Sequence, residues 1–92
     1  MAMLASCISV SAQRIRVQGH ITNPQGKSIP NVNVLNPAND ERIEMSDEDG
    51  RYSVLVDKYG SLKFTCVGYE DKTVKVDGKQ ILNVILRDAV IE

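Results

Sequence analysis

"SDEDGRYSVLV", residues 46–56, sets three carboxylates (Asp47, Glu48, Asp49) ahead of Gly50 and then alternates polar and apolar side chains. The stretch reads either as a ligand loop or as a turn, and the two readings demand different folds. A helix–loop–helix calcium site needs oxygen ligands at loop positions one, three, five and twelve, with glycine at six. Placing Gly50 at six puts Asp47 and Asp49 at three and five, but Met45 at one and Val56 at twelve, and neither carries a carboxylate. Paired acids for glycoside hydrolysis must flank a cleft, whereas neighbouring acids at one hairpin tip point into solvent. The turn reading accounts for each residue. Ser46 and Asp47 bond nearby backbone amides, Asp49-Gly50 tolerates positive φ, and Arg51 opens a strand with Tyr52, Val54 and Val56 on one face.

The same period of two extends through most of the chain. In "RIRVQGHIT" (14–22) Ile15, Val17, Gly19 and Ile21 face one way while Arg14, Arg16, Gln18 and His20 face the other. "NPQG" (23–26) turns the chain, Pro30 interrupts pairing, and "NVNVL" (31–35) turns Val32 and Val34 inward. "NPAND" (36–40) is a second turn cluster, followed by a short strand carrying Ile43 and Met45. After "DKYG" (57–60), Leu62, Phe64 and Cys66 point inward, then Val74 and Val76. Asp77-Gly78 turns the chain again, and Leu82, Val84 and Leu86 close it. Short strands recurring at roughly ten-residue intervals, with turn chemistry between neighbours, predict an all-β fold: a seven-stranded antiparallel Greek-key β-sandwich.

Composition narrows the function. Ninety-two residues make one small domain, and a formal net charge of −1 implies no polyanion or polycation partner. With no Trp and Phe64 as the single Phe, nucleic acid has no stacking platform. No stretch is long and apolar enough for a spanning helix. "MAMLASCISVSA" (1–12) is uncharged and ends in Val10-Ser11-Ala12, which reads as a partial signal peptide cleaved after Ala12. Lipid attachment at Cys7, in Leu4-Ala5-Ser6-Cys7, and an uncleaved tag or strand are the alternatives. Either export route places the domain, residues 13–88, outside the cytoplasm, with 89–92 beginning a linker. After cleavage Cys66 alone remains, so no disulfide framework holds the fold, and it reads as a small buried hydrophobe. His20, the one histidine, falls on a solvent face. A core this thin leaves no room for a buried catalytic cluster, because an unpaired buried polar group costs about 1–3 kcal/mol, as much as a buried Val or Leu returns. No cofactor, metal or catalytic residue is expected.

The ordered residue set resembles a known family. "VQGHITNPQGKSIPNVNVLNP" (17–37) is similar, through Gly19, Ile21, Gly26, Pro30, Val32 and Val34, to the opening of carboxypeptidase-regulatory-like, transthyretin-like domains. "SDEDGRYSVLV" resembles that family's acidic turn through Asp47, Gly50 and Tyr52. "LKFTCVGYEDKTVKV" (62–76) resembles its Leu-x-Phe strand running into Val-Gly-Tyr, through Leu62, Phe64, Val67, Gly68, Tyr69, Glu70, Val74 and Val76. "ILNVILRD" (81–88) resembles the closing strand. Ser28 and Asn31 depart from the Pro and Gly usual in the family, and "NPANDERIEM" (36–45) replaces its Gly-Thr-rich hairpin. Asn31 still suits a left-handed turn position.

The Val-Gly-Tyr-Glu form after a signal looks most like the N-terminal periplasmic domain of SusC-like, TonB-dependent outer-membrane transporters of Gram-negative bacteria. The resemblance implies a non-catalytic accessory domain. Its partners would be proteins of an outer-membrane uptake complex: the transporter plug and barrel, TonB-system proteins or a surface lipoprotein. "DAVIE" (88–92) would lead toward a TonB box. The alternative is a free-standing secreted module that binds carbohydrate or adheres, or an appendage of a secreted peptidase, for which Tyr59 and Tyr69 are the candidate aromatics. A urate-pathway hydrolase of transthyretin-like fold fits poorly, since that enzyme family carries several His and a Tyr-Arg-Gly-Ser ending. Gly68 permits a bend where its strand leaves the sheet, and Tyr69 can cover the sandwich end with its hydroxyl in water.

Overall fold

A computed structural model describes residues 13–89. The expected signal cleavage after Ala12, the lipidation alternative at Cys7 and residues 90–92 lie outside the described residues. Seven strands follow in order: β1 (Arg14–Thr22), β2 (Asn33–Asn36), β3 (Glu41–Met45), β4 (Arg51–Asp57), β5 (Ser61–Thr65), β6 (Lys72–Lys75) and β7 (Val84–Ile85). They form a three-stranded sheet, β4-β1-β7, and a four-stranded sheet, β3-β2-β5-β6. Among the described residues there is no helix, hence none long and apolar enough to cross a membrane.

Alternation sets the register of the first sheet. β1 and β4 pair antiparallel, with Ile15 opposite Val56, Val17 opposite Val54 and Gly19 opposite Tyr52. Those pairs share the inner face, so Arg14–Asp57, Arg16–Leu55, Gln18–Ser53 and His20–Arg51 share the outer one. The second sheet is antiparallel throughout, with a bulge between Val34 and Leu35 where β2 meets β3. Inner faces of both sheets meet in one core, to which Val17, Ile21, Val54 and Val84 contribute from one side and Val34, Leu62 and Phe64 from the other. Tyr52 and Phe64 join the layers edge to face, ring centroids 5.3 Å apart at 71°. Full burial of a side chain such as Phe64 stabilises the fold by about 1.5–3 kcal/mol.

Several expectations need correction. The sheets are not wholly antiparallel: β7 runs parallel to β1, Ile21 pairing with Val84 and Thr22 with Ile85. A period of two looks identical in either direction, so the side-chain pattern carries no sign of this. β7 is also shorter than its alternating pattern, since outside Val84–Ile85 the segment's only backbone bridge to β1 is the isolated Gln18–Ile81 one. The Asp47–Gly50 turn is not a hairpin tip, and neither it nor the Asp57–Gly60 turn joins neighbouring strands of one sheet. They carry the chain from β3 to β4 and from β4 to β5, strands of opposite sheets, and so arch over the core. Cys66 falls just past the end of β5 and is half-buried against the core rather than inside it. All of β3, an edge strand, is exposed, Ile43 at 42% and Met45 at 37%, so neither side chain joins the core.

Candidate functional site

Gly19, Tyr52 and Phe64 converge where the last segment crosses β1. A Cβ on Gly19 would overlap the Leu82 carbonyl oxygen and meet its carbonyl carbon at 2.7 Å, so only glycine lets the segment approach. The Tyr52 hydroxyl donates to that same Leu82 oxygen at 2.6 Å. Burial raises the Tyr52 phenol well above the ordinary tyrosine pKa. Leu82 N–H donates to Gln18 O at 2.9 Å, and Gln18 N–H donates to Gln80 O at 3.0 Å. This constellation locks the segment around Leu82 onto β1 and β4. A phenol held protonated and donating to a backbone carbonyl offers no base and no nucleophile.

The acidic stretch builds the arch between sheets. The Asp47 carboxylate accepts from the amides of Asp49 and Arg51, each at 2.9 Å, and Gly50 N–H donates to Asp47 O at 2.9 Å. Gly50 has φ 75°, and a Cβ there would meet Ile21 O at 2.6 Å, while its own carbonyl accepts from Ile21 N–H at 2.7 Å. Ser46 does not bond a nearby amide as its place in the turn suggests; its buried hydroxyl reaches across the loop. It donates to Ile29 O at 3.0 Å and accepts from Val32 N–H at 2.9 Å. Glu48 and Asp49 stay exposed. Among the described residues no three His, Cys, Asp or Glu side chains are grouped to hold a metal ion.

The remaining motif positions are scattered turns. Gly26, at φ 86°, closes a turn in which Asn23 Oδ1 accepts from Gln25 and Lys27. Pro30 is exposed, followed by Asn31 at φ 61°, the left-handed position that asparagine can hold. Gly68, at φ 90°, lies in the β5–β6 turn, and Val67 beside it is 97% exposed. Tyr69 is half-buried against the core and bridges Asp88, and Ala89 N–H donates to Gly68 O at 3.0 Å, which ties the β5–β6 turn to the chain's last described residues. Tyr59 is exposed under the Lys58 ammonium, 5.5 Å from the ring centroid, and no second aromatic joins it among the exposed large hydrophobics.

One contact has no counterpart in the sequence pattern. Alternation predicts a His20 free in solvent, but the residue is half-buried, with Nε2 2.7 Å from the Ser28 hydroxyl. The outward direction is correct; the loop that brings Ser28 over the ring leaves no periodic trace. A serine–histidine pair can serve nucleophilic catalysis only with a group orienting the ring and amides facing an oxyanion. Among the described residues no acid hydrogen-bonds this ring, and Ser28 sits in a backbone bridge with Thr22. The contact fastens the 27–29 loop to the end of β1. Beside it lies a depression of about 360 Å³ lined by His20, Arg51, Ile81 and Asn83. A larger one, about 500 Å³, lies between the edge strands β3 and β4, where Arg14, Arg42, Ile43 and Leu55 line it. Compared with known proteins, the chain matches no family model, and no curated protein matches it significantly.

Proposed function

We propose that this chain is a non-catalytic interaction domain, a Greek-key sandwich of the carboxypeptidase-regulatory-like, transthyretin-like kind, serving at the N-terminus of a TonB-dependent outer-membrane transporter. The observation that carries the reading is where the reactive side chains are committed. Ser46, Asp47 and Tyr52 hold backbone groups and His20 holds Ser28, which leaves open surface rather than a lined cleft to act. The resemblance supports the same reading residue by residue. Gly19 meets the Leu82 backbone, Gly50 meets Ile21, and Gly26 and Gly68 take left-handed turn positions, so these matched positions have physical work in this fold, while Asn31, a departure from the family's Gly, still holds a left-handed turn.

In such a domain, partners would be recognised by sheet faces and edges, as in other β-modules. The reading is tested by the encoding gene beyond the Glu92 codon. The frame is expected to continue through a short Val-rich acidic segment into a plug and a long β-barrel. A stop codon directly after Glu92 would contradict it.

A further inference from the structure

The outward residues of β4, β1 and β7 form a face unlike the rest of the molecule. β1 presents Arg14 and Arg16, and β4 presents Arg51 and Leu55, each fixed on this face by the β1–β4 register. Ile85, opposite Thr22, and Ile81, bridged to Gln18, continue it along the other side. Leu55, Ile81 and Ile85 are 44%, 67% and 51% exposed. Asp57 is the one carboxylate among the outward residues of these three strands, although the chain as a whole carries a net charge of −1. The other acids lie off these three strands, though Glu41 borders the face beside Arg14 and Leu55, and Glu44 and Asp47 border it beside Arg51; Glu48 and Asp49 lie in the arch, and Glu70 and Asp71 before β6.

Its arginines lack carboxylate partners. Among the described residues the one ion pair is Lys63–Asp40, on the other sheet. Arg14 donates to Leu55 O at 3.0 Å and Arg16 to Ser53 Oγ at 3.1 Å, which steadies each guanidinium and leaves further donors unused. Fixed, unpaired guanidiniums interleaved with exposed aliphatic side chains are complementary to carboxylates interleaved with apolar groups.

We propose that the outer face of the β4-β1-β7 sheet is a docking surface for an acidic, extended polypeptide segment with apolar residues between its carboxylates. Strand geometry selects an extended partner. Arg14 and Arg16 are two residues apart, a spacing of about 6.6 Å that matches same-face side chains on another extended chain. Carboxylates on one face of that chain meet Arg14, Arg16 and Arg51, and aliphatic residues cover Leu55, Ile81 and Ile85. A single segment covers less than the roughly 800 Å² per partner of a standard interface, so association is weak and salt-sensitive. The inference rests on the reading of this chain as an interaction domain and names the face and the partner's chemistry.

The probe is a labelled peptide alternating glutamate with valine, long enough to span β1, titrated into the full chain and followed by fluorescence anisotropy. Saturable binding is expected, weakened at least about tenfold by Arg16→Glu with Arg51→Glu and similarly by raising salt from about 0.05 to 0.5 M. Lys72→Glu with Lys75→Glu, on the other sheet, leaves it unchanged. Amide shifts induced by the peptide in the nitrogen-labelled wild type, which need no variant to fold, fall on β4, β1 and β7. No binding, equal binding of the glutamine-for-glutamate peptide, an undiminished affinity in a folded arginine variant, or shifts centred on β3-β2-β5-β6 would each overturn the proposal. So would binding to phosphatidylglycerol vesicles without binding to the peptide, which would make the face a membrane surface. A failed titration with a transporter frame downstream removes the face and spares the domain reading; a stop codon with successful titration does the reverse.

Discussion

Gly19→Ala is the smallest change that attacks the lock between β1 and the Leu82 segment. The added methyl meets the Leu82 carbonyl carbon at 2.7 Å, where non-bonded carbons settle at about 3.5–4.0 Å. Backbone must therefore retreat by about 1 Å. That displacement lengthens two bonds past useful range: Tyr52 Oη to Leu82 O, now 2.6 Å, and Leu82 N to Gln18 O, now 2.9 Å. Losing them and leaving buried polar groups short of partners costs about 2–4 kcal/mol, against the roughly 4–12 kcal/mol typical of a domain this size. Urea unfolding followed by circular dichroism reads the difference as a lower midpoint with the slope preserved. Tyr52→Phe alone costs less, about 1–2 kcal/mol, because Leu82 keeps its amide bond. Combined, the two substitutions cost less than their sum, since each breaks the same hydroxyl–carbonyl contact. A Gly19→Ala protein within about 0.5 kcal/mol of wild type would refute the crossing and the lock together.

Tyr52 also gives the fold a pH signature. Burial raises its phenol above the ordinary value of about 10, so the unfolded chain releases this proton first; stability is unaffected below that pH and falls above it, by up to about 1.4 kcal/mol per pH unit. Alkaline unfolding of Tyr52→Phe lacks this component. Phe64→Ala, at the centre of the core, costs about 3–5 kcal/mol and comes close to unfolding the domain, as measured by urea midpoint. Asp47→Ala lowers stability by about 1–2 kcal/mol through two lost amide bonds, Asp47→Asn recovers part of it, and added calcium leaves the wild-type melting temperature unchanged.

Side-chain alternation made much of this architecture readable, and its limits are physical. β1 runs from Arg14 to Thr22 as its pattern indicates, and the inward rows of β4 and β5 are those that alternate. Asp77-Gly78 forms its turn with φ of 52° and 74°, both left-handed, as that dipeptide favours. Turn chemistry is local, however, and Asp47–Gly50 reads the same whether it joins two strands of one sheet or arches between two. Parallel pairing of β7 is equally silent, because direction leaves the inward row unchanged. The partial burial of His20 and the long reach of Ser46 to Ile29 and Val32 depend on loops whose paths no periodicity encodes. The arginine face was present in the sequence as the outward half of β1, but Arg51, Leu55 and Ile81 join it only through the pairing register.

Native-state hydrogen exchange of the Gln18, Leu82 and Leu86 amides tests most directly whether the closing segment, residues 80–86, is sealed onto β1. Bonded to Gln80 O, Gln18 O and Thr22 O respectively, these amides should exchange as slowly as those of the β1–β4 ladder and accelerate together in Gly19→Ala. Rapid exchange at Leu82 and Leu86 beside a protected β1 would show the closing segment to be loosely attached, and the account built on that seal would fall.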